Sequence, residues 1–215
     1  AAAEAAFNEF RRYVKLGMTE KALAADLDHR MRLAGADAPA FPTIVAADAT
    51  AAMPHARPGG RRLKRGSVLL VDFGAQVGGY LCDLTRVLFA GRIRPDVRRV
   101  CGLVLGAQAA ATEAARPGAA LADVDAAARR VIHEAGFGRR FQHGTGHGFG
   151  RQVHEPPALA RGSKGRLEPG MVVTIEPGIY LRGRFGIRIE DDVLIRPNGP
   201  EILTHLEKDP EAMVL

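Results

Sequence analysis

The segment Val68 to Gly91, VLLVDFGAQVGGYLCDLTRVLFAG, constrains the fold of this 215-residue chain more than any other stretch. It reads as two β-strands rich in Val, Leu and Phe that reverse at Val77-Gly78-Gly79. One carboxylate sits in the middle of each strand, Asp72 and Asp83. A turn centred between Val77 and Gly78 sets the two directly opposite, whereas a turn at Gly78-Gly79 moves Asp83 to the diagonal. Side chains alternate with period two, so both acids share a face in either case. Like charges across an apolar hairpin destabilise it. Either one acid points to solvent and the other pairs with a base, or the two hold a cation.

Repetition favours the cation. Arg62 to Asp72, RLKRGSVLLVD, aligns without gaps on Arg166 to Glu176, RLEPGMVVTIE. The Arg, Leu, Gly and Val anchors coincide, and Asp72 falls on Glu176. A second hairpin follows, MVVTIEPGIY turning at LRGRF into GIRIEDDVLI, and carries Glu190. Glu176 and Glu190 are therefore expected to repeat the arrangement of Asp72 and Asp83.

The rest of the chain is duplicated too. A helix over 3–16 ends at Gly17, and Thr19 caps a second helix with the apolar stripe Leu23, Leu27 and Met31, closing at Ala34-Gly35. Phe41 to Ala47 reads as a strand. The loop Met53 to Arg61, rich in Pro, Gly and Arg, carries His55 into the first hairpin. A third helix opens near Pro95 and buries Val97, Val100, Cys101, Val104, Ala107 and Ala111. A fourth runs from Leu121 to Ala135. Gly17 to Gly35 and Gly118 to Gly136 each span 18 positions. The expected fold class is α+β: two pseudo-symmetric helix-helix-hairpin halves, curved antiparallel sheet inside, helices outside, functional groups at the junction.

Between the fourth helix and the second hairpin lies FQHGTGHGFGRQVHEPP, residues 141–157. Glycines at 144, 146, 148 and 150 rule out a stable helix, so His143 and His147 are no helical zinc pair despite their spacing. Alternate glycines instead let backbone approach a neighbour closely, with His147 held among them. His154 follows seven residues on. His29, His133 and His205 lack such company and read as ordinary structural residues.

Four carboxylates and an imidazole are too oxygen-rich for a structural zinc site and too many for one catalytic zinc. They suit two adjacent divalent ions, manganese foremost, with cobalt, zinc or iron also fitting mixed oxygen and nitrogen donors. Hydrolysis is the reaction class expected of such a pair. Composition is compatible: 47% hydrophobic and 25% charged residues suit one substantial core. No apolar run spans a membrane, and the Ala-rich start lacks a signal peptide's pattern. The net charge of +6 brings no Lys/Arg run interleaved with aromatics, so no nucleic-acid partner is expected. Cys82 and Cys101 lack metal or redox spacing and read as buried thiols of a reducing cytoplasm.

The motifs VDFG-x8-DLTR, GTGHGFG-x3-HE, TIEPG and IRIED resemble the signatures of the dinuclear-metal "pita-bread" (creatinase/aminopeptidase-like) aminopeptidases. That family includes Xaa-Pro aminopeptidases, Xaa-Pro dipeptidases (prolidases) and methionine aminopeptidases. The resemblance implies that Asp72, Asp83, His147, Glu176 and Glu190 bind two metals, with Asp83 and Glu190 bridging. It further implies that Glu176 helps move the proton of the attacking water. His55, in MPHARP, would contact substrate near the scissile bond, and His154 would stabilise the tetrahedral intermediate. Arg188 matches an arginine of the proline branch. DLTR, PHARP and GIRIED resemble that branch more than the methionine branch, while Phe149 and Pro156 depart from its usual residues. Proline-specific members usually carry an extra N-terminal domain. Residues 1–215 are expected to be one metallopeptidase catalytic domain without it, acting on a peptide, with a homodimer as the candidate assembly. The alternatives are a methionine aminopeptidase-like enzyme or a creatinase-type or binding-only member of the fold.

Overall fold

The computed structural model of the chain describes residues 2–215. The first half comprises α1 (Ala2–Tyr13), α2 (Glu20–Leu33), β1 (Ala38–Pro39), β2 (Ile44–Ala47), β3 (Val68–Phe73), β4 (Ala75–Val77), β5 (Tyr80–Leu81) and β6 (Leu84–Phe89). The second comprises α3 (Pro95–Ala114), α4 (Leu121–Glu134), β7 (Gly146–Gly148), β8 (Glu155–Leu159), β9 (Val172–Ile175), β10 (Gly178–Leu181), β11 (Phe185–Arg188), β12 (Asp191–Arg196) and β13 (Gly199–Ile202). All ladders are antiparallel. One apolar core gathers the buried faces of all four helices and of both hairpins.

The duplication is visible in individual hydrogen bonds. Arg62 donates to the Gly17 carbonyl at 2.7 Å, and Arg166 donates to the Gly118 carbonyl at 2.7 Å. The N–H groups of Gly17 and Gly118 return to the carbonyls of Leu63 and Leu167, at 2.8 and 2.7 Å. Each contact ties the link between two helices to the strand leading into a hairpin. The matching anchors thus occupy equivalent places because each closes the same helix-to-hairpin joint.

Several details differ from the expectation. The first helix stops at Tyr13, and the strand expected over Phe41 to Ala47 begins only at Ile44, because Pro42 has no N–H to give a ladder. Neither hairpin is a simple pair of strands. The first is broken at Gly74, so β3 and β6 form a sheet with β2 while β4 and β5 continue into a sheet with β1. Gly74 permits the break: a Cβ there would stand 1.9 Å from the Cys82 carbonyl oxygen. The second hairpin is likewise divided between the β10-β11 pair and a five-stranded sheet, β13-β12-β9-β7-β8. Asp83, Glu176 and Glu190 stand at these breaks rather than in mid-strand, where a bend re-aims side chains toward the junction.

The turn residues are Gly78 and Gly79, since Val77 pairs with Tyr80. Asp72 then faces Thr85, and Asp83 lies on the diagonal. In the second hairpin Asp191 faces Ile175 and Gly178 faces Arg188, a common register that sets Glu176 opposite Glu190. The expected repetition is therefore offset: the acids are diagonal in one half and opposed in the other. The halves join where Glu190 bridges to Thr85.

Candidate metal centre and active site

His147 owes its position to its two glycine neighbours on β7. A Cβ at 146 would lie 1.8 Å from the Thr174 carbonyl oxygen, and one at 148 would lie 2.4 Å from that of Pro156. Only a bare backbone fits between β8 and β9 there. His147 Nδ1 is 3.0 Å from the Gly148 carbonyl oxygen, which can only accept, so Nδ1 carries the proton. Nε2 keeps its lone pair and faces the acids, 3.5 Å from Glu176 Oε1 and 3.8 Å from Asp83 Oδ2. Burial lowers the pKa of His147, which keeps the ring neutral. A neutral imidazole oriented by a backbone carbonyl is the usual state of a metal-ligating histidine.

Donor atoms of Asp83, His147 and Glu190 all lie within 4.8 Å of one another. The acids here are short of positive charge. Asp83 and Glu190 are raised well above the usual carboxylate range, first by burial and then by the surrounding carboxylates. Glu176 is raised to about 7, again chiefly by burial. Asp72 points instead to Arg188, which donates to its Oδ2. Burial raises Asp72 even so. Three converging donors in an oxygen-rich set with one imidazole, at acids that are costly to ionise unaided, fit divalent cations.

Asp72, Asp83, His147, Glu176 and Glu190 line a single cavity of about 470 Å³, and His55, His154 and Arg188 line it as well. His55 and His154 are exposed at its edge, and the His154 ring centroid is 4.4 Å from that of His147. Arg188 is only 3% exposed and reaches both halves. Its Nε donates to Thr85 Oγ1 at 3.0 Å, and that hydroxyl donates to Glu190 Oε2 at 2.5 Å.

Sequence reasoning missed the partners of these residues. Arg188 donates to the Tyr180 hydroxyl at 2.9 Å, and Tyr180 donates onward to His143 Nε2 at 2.8 Å. His143 gives its Nδ1 proton to the Gly144 carbonyl, and burial foremost depresses its pKa to about 4. Arg86, only 1% exposed, donates to the Glu190 carbonyl, to Asp191 at 2.6 Å and to the Leu206 and Glu207 carbonyls at 3.0 and 3.1 Å. Burial alone would raise the Asp191 pKa, but Arg86 and Lys208 hold it below the ordinary value. Asp192 accepts the Asp83 N–H at 3.3 Å, while its other oxygen is buried with no hydrogen-bond partner among the described residues. Thr85 and Arg86 end the DLTR motif and Asp191 follows Glu190, so adjacency to the acids was their one visible signal.

This fold and site define a class. The chain belongs to metallopeptidase family M24, whose model matches residues 1–197. It is 40% identical over 193 residues to an Xaa-Pro dipeptidase of Pyrococcus furiosus, covering 90% of this chain and 56% of that protein. It is 39% identical over 207 residues to an uncharacterized peptidase of Bacillus subtilis, covering 96% of this chain and 59% of the relative. The X-Pro aminopeptidase of Thermotoga maritima superposes with a TM-score of 0.97 at 42% identity, covering all of this chain and 60% of that structure. The prolidase of Pyrococcus furiosus gives 0.93 at 39% identity, with 96% and 61% covered. The fold is thus the pita-bread fold of these enzymes, and the chain spans somewhat over half the length of the relatives it matches. Among the described residues, no helix is long and apolar enough to cross a membrane.

Proposed function

We propose that residues 1–215 form the catalytic domain of a peptidase that uses two divalent metal ions to hydrolyse the N-terminal Xaa-Pro bond of peptides. The observation that carries this reading is the convergence of Asp83, His147 and Glu190 within 4.8 Å, in a cavity also lined by Asp72 and Glu176. Relatives named as Xaa-Pro dipeptidase, prolidase and X-Pro aminopeptidase support the choice of substrate. Asp72, Asp83, His147, Glu176 and Glu190 would hold the ions, with manganese favoured by the carboxylate-rich donor set. The two thiols, neither in a disulfide, support a cytoplasmic setting.

When bound, the ions supply Lewis acidity toward the scissile carbonyl and lower the pKa of a water. The chain's own groups do the rest. Glu176 would accept and return a proton at its carboxylate, which lines the cavity beside His147. His154, at the edge of the cavity beside His147, offers an N–H to the developing oxyanion. Arg188, held by the Tyr180 hydroxyl, keeps Asp72 oriented. An Xaa-Pro bond has no N–H at its scissile nitrogen, so the site needs no acceptor there, only space for the ring.

The test compares Ala-Pro, Ala-Pro-Gly and Met-Ala-Ser with Mn²⁺ or Co²⁺ added. Cleavage of the proline peptides well above Met-Ala-Ser is the expected result. Preference for Met-Ala-Ser would assign the chain to the methionine branch, and no cleavage of any of the three would mark a binding-only member.

A further inference from the structure

A second depression adjoins the catalytic cavity. It is an open groove of about 1210 Å³, and His143, Gly144 and Ala160 line both it and the cavity. Its other walls carry Arg129, Arg139, Arg140 and Arg161, and among the described residues no carboxylate lines it. Arg129 is committed to the fold: it pairs with Asp125 at 2.6 Å and donates to the Phe141 and His143 carbonyls. The remaining three differ. Arg139 and Arg140 lie on the short 3₁₀ turn Gly138–Arg140, and Arg161 follows β8. All three are exposed, and none of their guanidinium groups has a hydrogen bond or ion pair with the described residues.

Three uncompensated guanidinium groups around one groove form a site for anions, and their planar donor forks match carboxylates. The direction in which a substrate would extend follows from the reaction. An enzyme that removes a single N-terminal residue leaves just one residue before the scissile bond. Any chain that runs out of the cavity past His143 and Gly144 therefore consists of residues beyond the proline. Resting on the function proposed above, we infer that this groove receives carboxylates from that trailing segment, and that the preferred substrates are Xaa-Pro peptides bearing Asp or Glu after the proline. A nucleic acid suits the groove less well, because no Tyr or Trp lines it among the described residues and its one Phe, Phe141, is buried under Arg129.

The experiment uses the Mn²⁺-loaded chain and the peptides Ala-Pro-Glu-Glu-Gly, Ala-Pro-Gly-Gly-Gly and Ala-Pro-Lys-Lys-Gly, each with a free and an amidated C-terminus. At low salt the acidic peptide should show roughly tenfold higher kcat/KM than the neutral one, through KM, as expected for a few exposed ion pairs. The advantage should shrink in 0.3 M salt, where the Debye length is only about 6 Å. An Arg139→Glu/Arg140→Glu/Arg161→Glu variant should lose or invert the preference while cleaving Ala-Pro at the unmodified rate. The gain should persist when the C-termini are amidated, because the neutral peptide carries the same α-carboxylate as the acidic one. Loss of the gain on amidation would overturn the assignment to Asp or Glu side chains. Equal kcat/KM for acidic, neutral and basic peptides would overturn the inference. Binding of the same peptides, fluorescently labelled and followed by anisotropy, tests the groove even if none is cleaved, an outcome that would overturn the peptidase reading alone. Equal affinities for the three, or tighter binding of an oligonucleotide of the same charge, would overturn the groove assignment.

Discussion

Each hairpin contributes two acids to the cavity, but the two pairs are compensated differently. In the first, Asp72 lies within β3, diagonal to Asp83, and is paired with a guanidinium. In the second, Glu176 and Glu190 are opposed at strand breaks, and among the described residues Glu190 receives only the Thr85 hydroxyl at its carboxylate. The compensation is also exchanged between halves, since Arg188 of the second serves Asp72 of the first and Thr85 of the first serves Glu190 of the second. A duplicated unit has thus become interdependent, and neither half holds its acids by itself.

The change with the largest expected effect is Asp83→Asn. It removes a carboxylate raised by burial and by Glu190, so hydrolysis should vanish and metal occupancy fall, while the metal-free protein gains in Tm. Metal analysis and calorimetry check both, and retained activity would remove Asp83 from the ligand set. Next is Arg188→Ala, which strips the cross-half countercharge. Breaking one side of a buried pair should cost about 3–5 kcal/mol in metal-free protein, partly restored by Mn²⁺, with Xaa-Pro cleavage lost. Unchanged stability would mean that Asp72 is protonated and the halves are electrostatically independent.

A smaller effect separates the halves sterically. Gly74→Ala and Gly146→Ala each push a Cβ into a carbonyl oxygen, at 1.9 and 1.8 Å, and should each cost about 1–3 kcal/mol by overpacking. Only Gly146→Ala also displaces His147, so its kcat should drop further than its Tm suggests. Equal activity losses in the two variants would show that the clasp around β7 has no special role.

The smallest effect is a pH slope. Burial foremost raises Glu176 from 4.5 to about 7 in the fold, so between those values the folded state holds more protons than the unfolded one. Other buried groups titrate as well, with His143 acting in the opposite direction, so the contribution of Glu176 is read as the difference between the unmodified protein and Glu176→Gln. In metal-free protein the stability advantage of the unmodified chain over that variant should fall as pH rises through the window and level off above it. Calorimetry at pH 5 and pH 8 should show the Tm difference shrinking by several degrees, at about 2–4 °C per kcal/mol for a chain of this size. A difference that grows with pH would contradict the assigned shift.

What the sequence disclosed was local or periodic. The glycines after the helices, the Thr19 cap, the alternating strands and the Arg-Leu-Gly-Val anchors each act within a few residues, so spacing alone exposed them. The register offset was not legible, because the decision between a turn at 77-78 and one at 78-79 rests on how Gly74 and Cys82 pack. Arg188 could be assigned to a strand face but not to Asp72, 116 residues away. Tyr180 and His143 are 37 residues apart and meet only in the folded chain, and no period marks such an encounter.

Arg86 gives the molecule a timing. It hangs the backbone of Glu190 and the side chain of Asp191 from two carbonyls at 206 and 207, about 120 residues downstream. A chain made only as far as residue 196 already contains Arg86, Glu190 and Asp191, but not the two carbonyls that complete the set of partners around this guanidinium. A buried donor left without its acceptors is costly, so Arg86 is fully satisfied only after the segment through residue 207 has been made and has folded back across the first half.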